Sequence, residues 1–118
     1  MSSRDISKKP LGDDTIIINP GKILNNSNAG EMLETITALQ AESYKYIIID
    51  MNELEFLSSA GVGSILSNVE TSREAGGDIV LCNISDNILH VFKVLDLASY
   101  MTIRTNIQEA AGFCGIEK

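Results

Sequence analysis

Apolar and polar positions change their period repeatedly along this chain, and the changes mark its elements. Thr15 to Asn19 is rich in β-branched residues and stops at Pro20-Gly21, which predicts a strand followed by a turn. From Ala29 the apolar positions Ala29, Met32, Leu33, Ile36 and Leu39 recur at helical spacing behind the candidate caps Ser27 and Asn28, the pattern of an amphipathic helix. Tyr44 to Met51, with Asp50 near its end, reads as a strand covered on both faces. The connection Asn52 to Leu57 is expected to anchor in the core through Leu54, Phe56 and Leu57. Beyond it, the segment opening at Ser58-Ser59 turns Val62, Ile65, Leu66 and Val69 to one side until Gly76-Gly77 ends it, which predicts a second helix.

Ile79 to Cys82 is another buried strand, and Ser85 or Asp86 caps a third helix with Ile88, Val91, Phe92 and Leu95 inward. Met101 to Arg104 is a short strand, and Asn106 caps a last helix through Gln108, Ala110 and Ala111. Strands alternating with helices predict an α/β fold whose helices cover at least one face of the sheet. Right-handed crossovers make about four or five strands and about four helices the economical arrangement. Residues 1 to 12 are polar, contain Pro10 and Gly12, and are expected to form a flexible arm or an edge strand ahead of a single domain over residues 13 to 118.

Composition narrows the function. A length of 118 residues with 44% hydrophobic content suits one domain with one sizeable core. The longest apolar runs fall far short of the ~20 residues that cross a bilayer, and no apolar segment follows Met1-Ser2-Ser3-Arg4-Asp5 to suggest a leader. A cytoplasmic location without a membrane partner is the expectation. The formal charge of -7 would repel phosphate backbones, which argues against direct nucleic-acid binding.

The chemistry of the side chains argues against an enzyme. The lone histidine, His90, has no neighbour of metal-ligand type at the right spacing. Cys82 and Cys114 lack a CxxC spacing and read as core thiols. Ser58 to Gly63 contains neither a G-x-S-x-G elbow nor the lysine of a phosphate-binding loop. Asp50, Glu53 and Glu55 lack the rhythm of a calcium loop and read as a solvated turn. No metal, cofactor or catalytic residue is predicted.

One junction remains, Leu54-Glu55-Phe56-Leu57-Ser58-Ser59-Ala60-Gly61-Val62-Gly63. Two hydroxyls stand where a helix begins, and Ala60, Gly61 and Gly63 leave its first turn sterically open. A glycine within a helix costs ~1 kcal/mol relative to alanine, so two near the start call for tight packing or the close approach of another molecule. By spacing alone, Ser58 or Ser59 is a helix cap. The same position would also suit a phosphate, because free N–H groups and the positive end of the helix dipole stabilise one there.

At this junction the sequence resembles the STAS domain family and, within it, the stand-alone bacterial anti-sigma-factor antagonists. The resemblance runs from residue 13 to 113 and rests on the strand ending at Asp50, the junction itself, Gly76-Gly77 before Ile79-Val80-Leu81, and Val91-Phe92-Lys93-Val94-Leu95. It implies a STAS-like fold and an antagonist that acts by partner switching. In such proteins the unphosphorylated form binds an anti-sigma factor serine kinase and releases a sigma factor, phosphorylation ends the binding, and a PP2C-type phosphatase restores it. Aligned on Gly61 and Gly63, the family's phosphorylated serine falls on Ser59, its preceding aspartate on Ser58 and its second hydroxyl on Ala60.

The resemblance also implies a partner surface made of Asn25, Asn26, Ser58, Ala60, Gly61, Val62 and Gly63, with Ser58 a second candidate acceptor. Asn25, or alternatively Asn26, stands where the family has an acidic or polar residue. Two other readings stay open: a constitutive interaction module in which Ser59 only caps the helix, and a binder of small anions or nucleotides at the helix N-terminus.

Overall fold

The computed structural model describes residues 6–116. Five strands form the main sheet: β1 (Ser7–Pro10), β2 (Thr15–Asn19), β4 (Tyr46–Asp50), β6 (Asp78–Cys82) and β7 (Thr102–Arg104), side by side in that order. β1 pairs antiparallel with β2 and the remaining neighbours run parallel, so the sheet is mixed, as the sequence predicts. Of the two expectations for the N-terminal segment, residues 7–10 take the edge strand. The packed unit therefore reaches back past residue 13.

The helices α1 (Ala29–Ala41), α2 (Ser59–Leu66), α3 (Val69–Glu74), α4 (Asp86–Val94) and α5 (Ile107–Phe113) make up the predicted helical units, the second of which is divided. Ile47 and Ile49 of β4 and Ile79 and Leu81 of β6 pack into a large core with Met32, Ile36, Ile65, Val69 and Phe92 from α1 to α4. The alternate residues Ile48, Val80 and Cys82 pack on the other face against Ala110 and Cys114. This two-sided burial is why both strands read as nearly unbroken apolar runs.

The second helical unit breaks at Ser67–Asn68. The Ser67 hydroxyl donates to the Gly63 carbonyl at 2.7 Å, a bond that competes with regular helix. The Gln40 side-chain amide donates to the Asn68 carbonyl at 2.9 Å and to the Ser72 hydroxyl at 2.8 Å, so α1 is tied to the start of α3 just past the break. After α3, Gly76 takes φ +93, a left-handed conformation that stops the helix.

Three side chains depart from the pattern-based expectation. Leu33 and Leu95 are 37% and 42% exposed, because each lies at the margin of its helix's apolar stripe. Phe56, expected in the core, is 54% exposed. It belongs to a ladder too short for periodicity to detect: β3 (Ile23–Leu24) pairs in parallel with β5 (Phe56–Leu57). Alternation along that ladder sends Leu24 and Leu57 inward and leaves Ile23 and Phe56 facing out.

Candidate functional site

β2, β4 and β6 run parallel, so the connections leaving them gather at one edge of the sheet, where ligands of such sheets commonly bind. Two of these connections are joined by the β3–β5 ladder. The Lys22 carbonyl accepts the Glu55 N–H at 2.7 Å, and the Leu24 carbonyl accepts the Ser58 N–H at 3.0 Å. The segment carrying Asn25 is thereby fastened alongside the one carrying Ser58 and Ser59.

The two serines differ in their surroundings. Ser58 is the N-cap of α2, with extended backbone at φ -92 and ψ 171, and its Oγ accepts the Gly61 N–H at 3.2 Å. It is half-buried. Ser59, the first helical residue, is exposed, and its hydroxyl has no hydrogen-bond partner among the described residues. No acidic residue lies in the first turn of α2, so no carboxylate there offsets the positive end of the helix.

The two glycines of this helix serve opposite surroundings. A Cβ on Gly61 would come within 2.6 Å of the Leu24 carbonyl oxygen and 2.8 Å of Leu57 Cδ1, so Gly61 lets the ladder and the helix touch. That turn is closed on its inner side, contrary to the open turn predicted from the small residues. A Cβ on Gly63 would meet nothing within 4 Å. Ala60 and Gly63 are half-buried, whereas Gly61 and Val62, expected at a partner surface, are buried. Ser64 donates its hydroxyl to the Gly61 carbonyl at 2.6 Å and stiffens the same turn.

Asn25 is half-buried and Asn26 exposed. Asn25 accepts the Ser27 N–H on its Oδ1 at 2.9 Å, and its own N–H donates to Asn28 Oδ1 at 2.8 Å. Asn28, a predicted helix cap, instead donates its amide to the Ile23 carbonyl at 2.8 Å and closes the loop on itself. A shallow groove lined by Lys22, Ile23, Asn25, Ser27, Asn28 and Glu53 runs along this loop.

Glu53 and Glu55 are solvent-exposed, as expected of a solvated turn. Asp50 is half-buried, and its Oδ1 accepts the Asn52 N–H at 3.1 Å and the Asn83 amide at 3.0 Å. His90 is exposed on α4. No group of three or more potential metal ligands occurs among the described residues, and no described helix is long and apolar enough to cross a membrane. Burial, then the Asp50 carboxylate, pushes the Cys82 thiol up to about 12, and burial does the same to Cys114, so neither offers a nucleophile.

Sequence reasoning located the hydroxyls and missed the ladder beneath them. The dipeptides Ile23-Leu24 and Phe56-Leu57 carry no period of their own. Their one signal was the step from apolar to polar residues that follows each of them.

Comparison with known proteins gives the family and matches the fold. The profile of the STAS domain matches residues 8–110. BtrV of Bordetella bronchiseptica, classed as an anti-sigma factor antagonist, is 26% identical over 89 residues, which cover 75% of this chain and 76% of that protein. The unphosphorylated form of the anti-sigma factor antagonist SpoIIAA superposes with a TM-score of 0.81 at 21% identity, over 96% of this chain and 99% of that one. The phosphorylated form of the Bacillus cell fate determinant SpoIIAA superposes with a TM-score of 0.71 at 24% identity, over 92% and 97%.

Proposed function

The chain belongs to the STAS domain family, and on that premise we propose that it is an anti-sigma factor antagonist working by partner switching, with Ser59 as its phosphorylation site. Unmodified, it binds an anti-sigma factor serine kinase in the cytoplasm and frees a sigma factor. Phosphate on Ser59 ends that binding, and a PP2C-type phosphatase reverses it. The chain acts by binding and performs no catalytic step of its own.

The observation that carries this reading is the division of labour between the serines. The Ser58 oxygen holds the Gly61 N–H, while Ser59 would offer a kinase an exposed hydroxyl that has no partner among the described residues. The partner surface would combine Ser59, Ala60 and Gly63, which follow β5, with Asn25 and Asn26, which follow β3, and the exposed pair Ile23 and Phe56 on the same ladder. A phosphate adds close to two negative charges at its centre. It would repel an acidic or apolar contact without disturbing the core.

Incubation with a serine-kinase anti-sigma factor and ATP, followed by mapping of the phosphate by mass spectrometry, tests the proposal. Phosphate at Ser59 is expected, and complex formation without phosphate at either serine would refute the switch. That second outcome belongs to a constitutive interaction module, a reading favoured by one observation: Ser58 is a neutral helix cap, where the family resemblance implies an aspartate.

A further inference from the structure

A polar chain runs across the sheet edge beneath the site. The Asn19 Oδ1 accepts the Gly21 N–H at 2.9 Å, and its Nδ2 donates to Asn52 Oδ1 at 2.9 Å. The Asn52 N–H in turn reaches Asp50 Oδ1, which also holds the Asn83 amide. Side chains from the ends of β2, β4 and β6 are thus joined in one series.

Its place in the fold suggests what it does. The β3–β5 ladder has two residues per strand, and a pairing that short is marginal alone. A slip of β3 by one residue against β5 would turn Ile23 inward and Leu24 outward. It would also take Ser58 off the Leu24 carbonyl and shift the start of α2 relative to Asn25. Beyond Ser58 the bond from its N–H to Leu24 fixes one end of the ladder, and Asn19 with Asn52 stands ahead of the other.

We propose that Asn19 and Asn52 are positioning residues that clamp the register of this ladder and thereby hold Asn25 and Ser59 in one surface. The use of that surface rests on the partner-switching reading, whereas the clamp is a property of the free protein. The pair does not touch Ser59. It acts through Gly21 on one connection and through Asp50 on the other.

The chemistry of the pair supplies its own control. With Asn19→Asp or Asn52→Asp alone, the remaining amide can turn to donate to the new carboxylate, so a bond survives. In the double variant Asn19→Asp/Asn52→Asp, two carboxylates face each other at neutral pH without a donor between them.

Residue-resolved hydrogen exchange on the free protein at pH 7 tests the clamp. In the double variant the Glu55, Phe56 and Ser58 amides should exchange roughly three- to tenfold faster. The Ile48 and Val80 amides should keep their rates, and each single variant should match the parent at all five positions. Unchanged exchange at the ladder, an equal acceleration of the core amides, or single variants as fast as the double would overturn the proposal. Because no kinase or phosphate enters this measurement, its failure is distinguishable from failure of the switch, which is read from the phosphate on Ser59.

Discussion

The Oγ of Ser58 accepts the N–H of Gly61, and this bond gives two adjacent serines different chemistry. One is a structural cap, and the other is an exposed alcohol without a partner among the described residues. Ser58→Ala is therefore expected to cost ~1 kcal/mol of stability, whereas Ser59→Ala should stay within about 0.5 kcal/mol of the parent. Urea denaturation of the two variants checks the difference. Equal losses would place the cap on both residues.

Charge at position 59 should separate binding from folding. Ser59→Asp is expected to weaken the complex with an anti-sigma kinase at least about tenfold, ~1.4 kcal/mol, and Ser59→Ala to leave it intact. Isothermal titration of both variants against the kinase measures this. Full affinity in the Asp variant would sink the switch and leave a constitutive module.

The two glycines of α2 should respond in opposite directions. Gly61→Ala drives a methyl against the Leu24 carbonyl and Leu57, at a cost of about 1–3 kcal/mol. Gly63→Ala meets open space and should gain about 0.5–1 kcal/mol from helix propensity. If the space over Gly63 is filled by the partner, the same methyl will weaken the complex while raising the melting temperature. Thermal melts and titrations on one pair of proteins read both effects.

The buried thiols set an alkaline limit. Cys82 and Cys114 are raised from 9.0 to about 12 in the folded chain, so in the unfolded chain they ionise first. The folded state then binds more protons, and its stability is complete below about pH 9 and falls as the pH rises from there toward 12. Denaturation curves between pH 8 and pH 11 should show that decline, and replacing both cysteines by alanine should flatten it. Iodoacetamide near pH 8 should leave both thiols of the native protein unmodified.

The large elements were legible because their signals are long. Ile47 to Ile49 and Ile79 to Leu81 are covered on both faces, which is what their continuous, β-branched-rich apolar runs implied. Asn106 caps its helix as read, accepting the Glu109 N–H, and of Ser85 and Asp86 it is Ser85 that caps, accepting the Ile88 N–H. What escaped depended on contacts distant in sequence. Phe56 read as core because its neighbours Leu54 and Leu57 are, and only its pairing with Ile23 turns it outward. The helix break at Ser67–Asn68 was hidden for the same reason, since Gln40 holds the start of α3 from α1, through the Asn68 carbonyl and the Ser72 hydroxyl. At the site, the sequence pointed to both hydroxyls but could not tell which of them caps the helix, a distinction made by the bond from the Gly61 N–H to Ser58 Oγ.

The bare first turn of α2 carries a consequence for the lifetime of the two forms. A phosphate on Ser59 would meet the positive end of a helix that has no carboxylate of its own in that turn, and such a charge adds about 0.3–1 kcal/mol to a helix. The silent form of the protein would then also be its sturdier form, slower to open and slower to be degraded. Activation would draw on a durable pool, and the active molecules would be the ones that age.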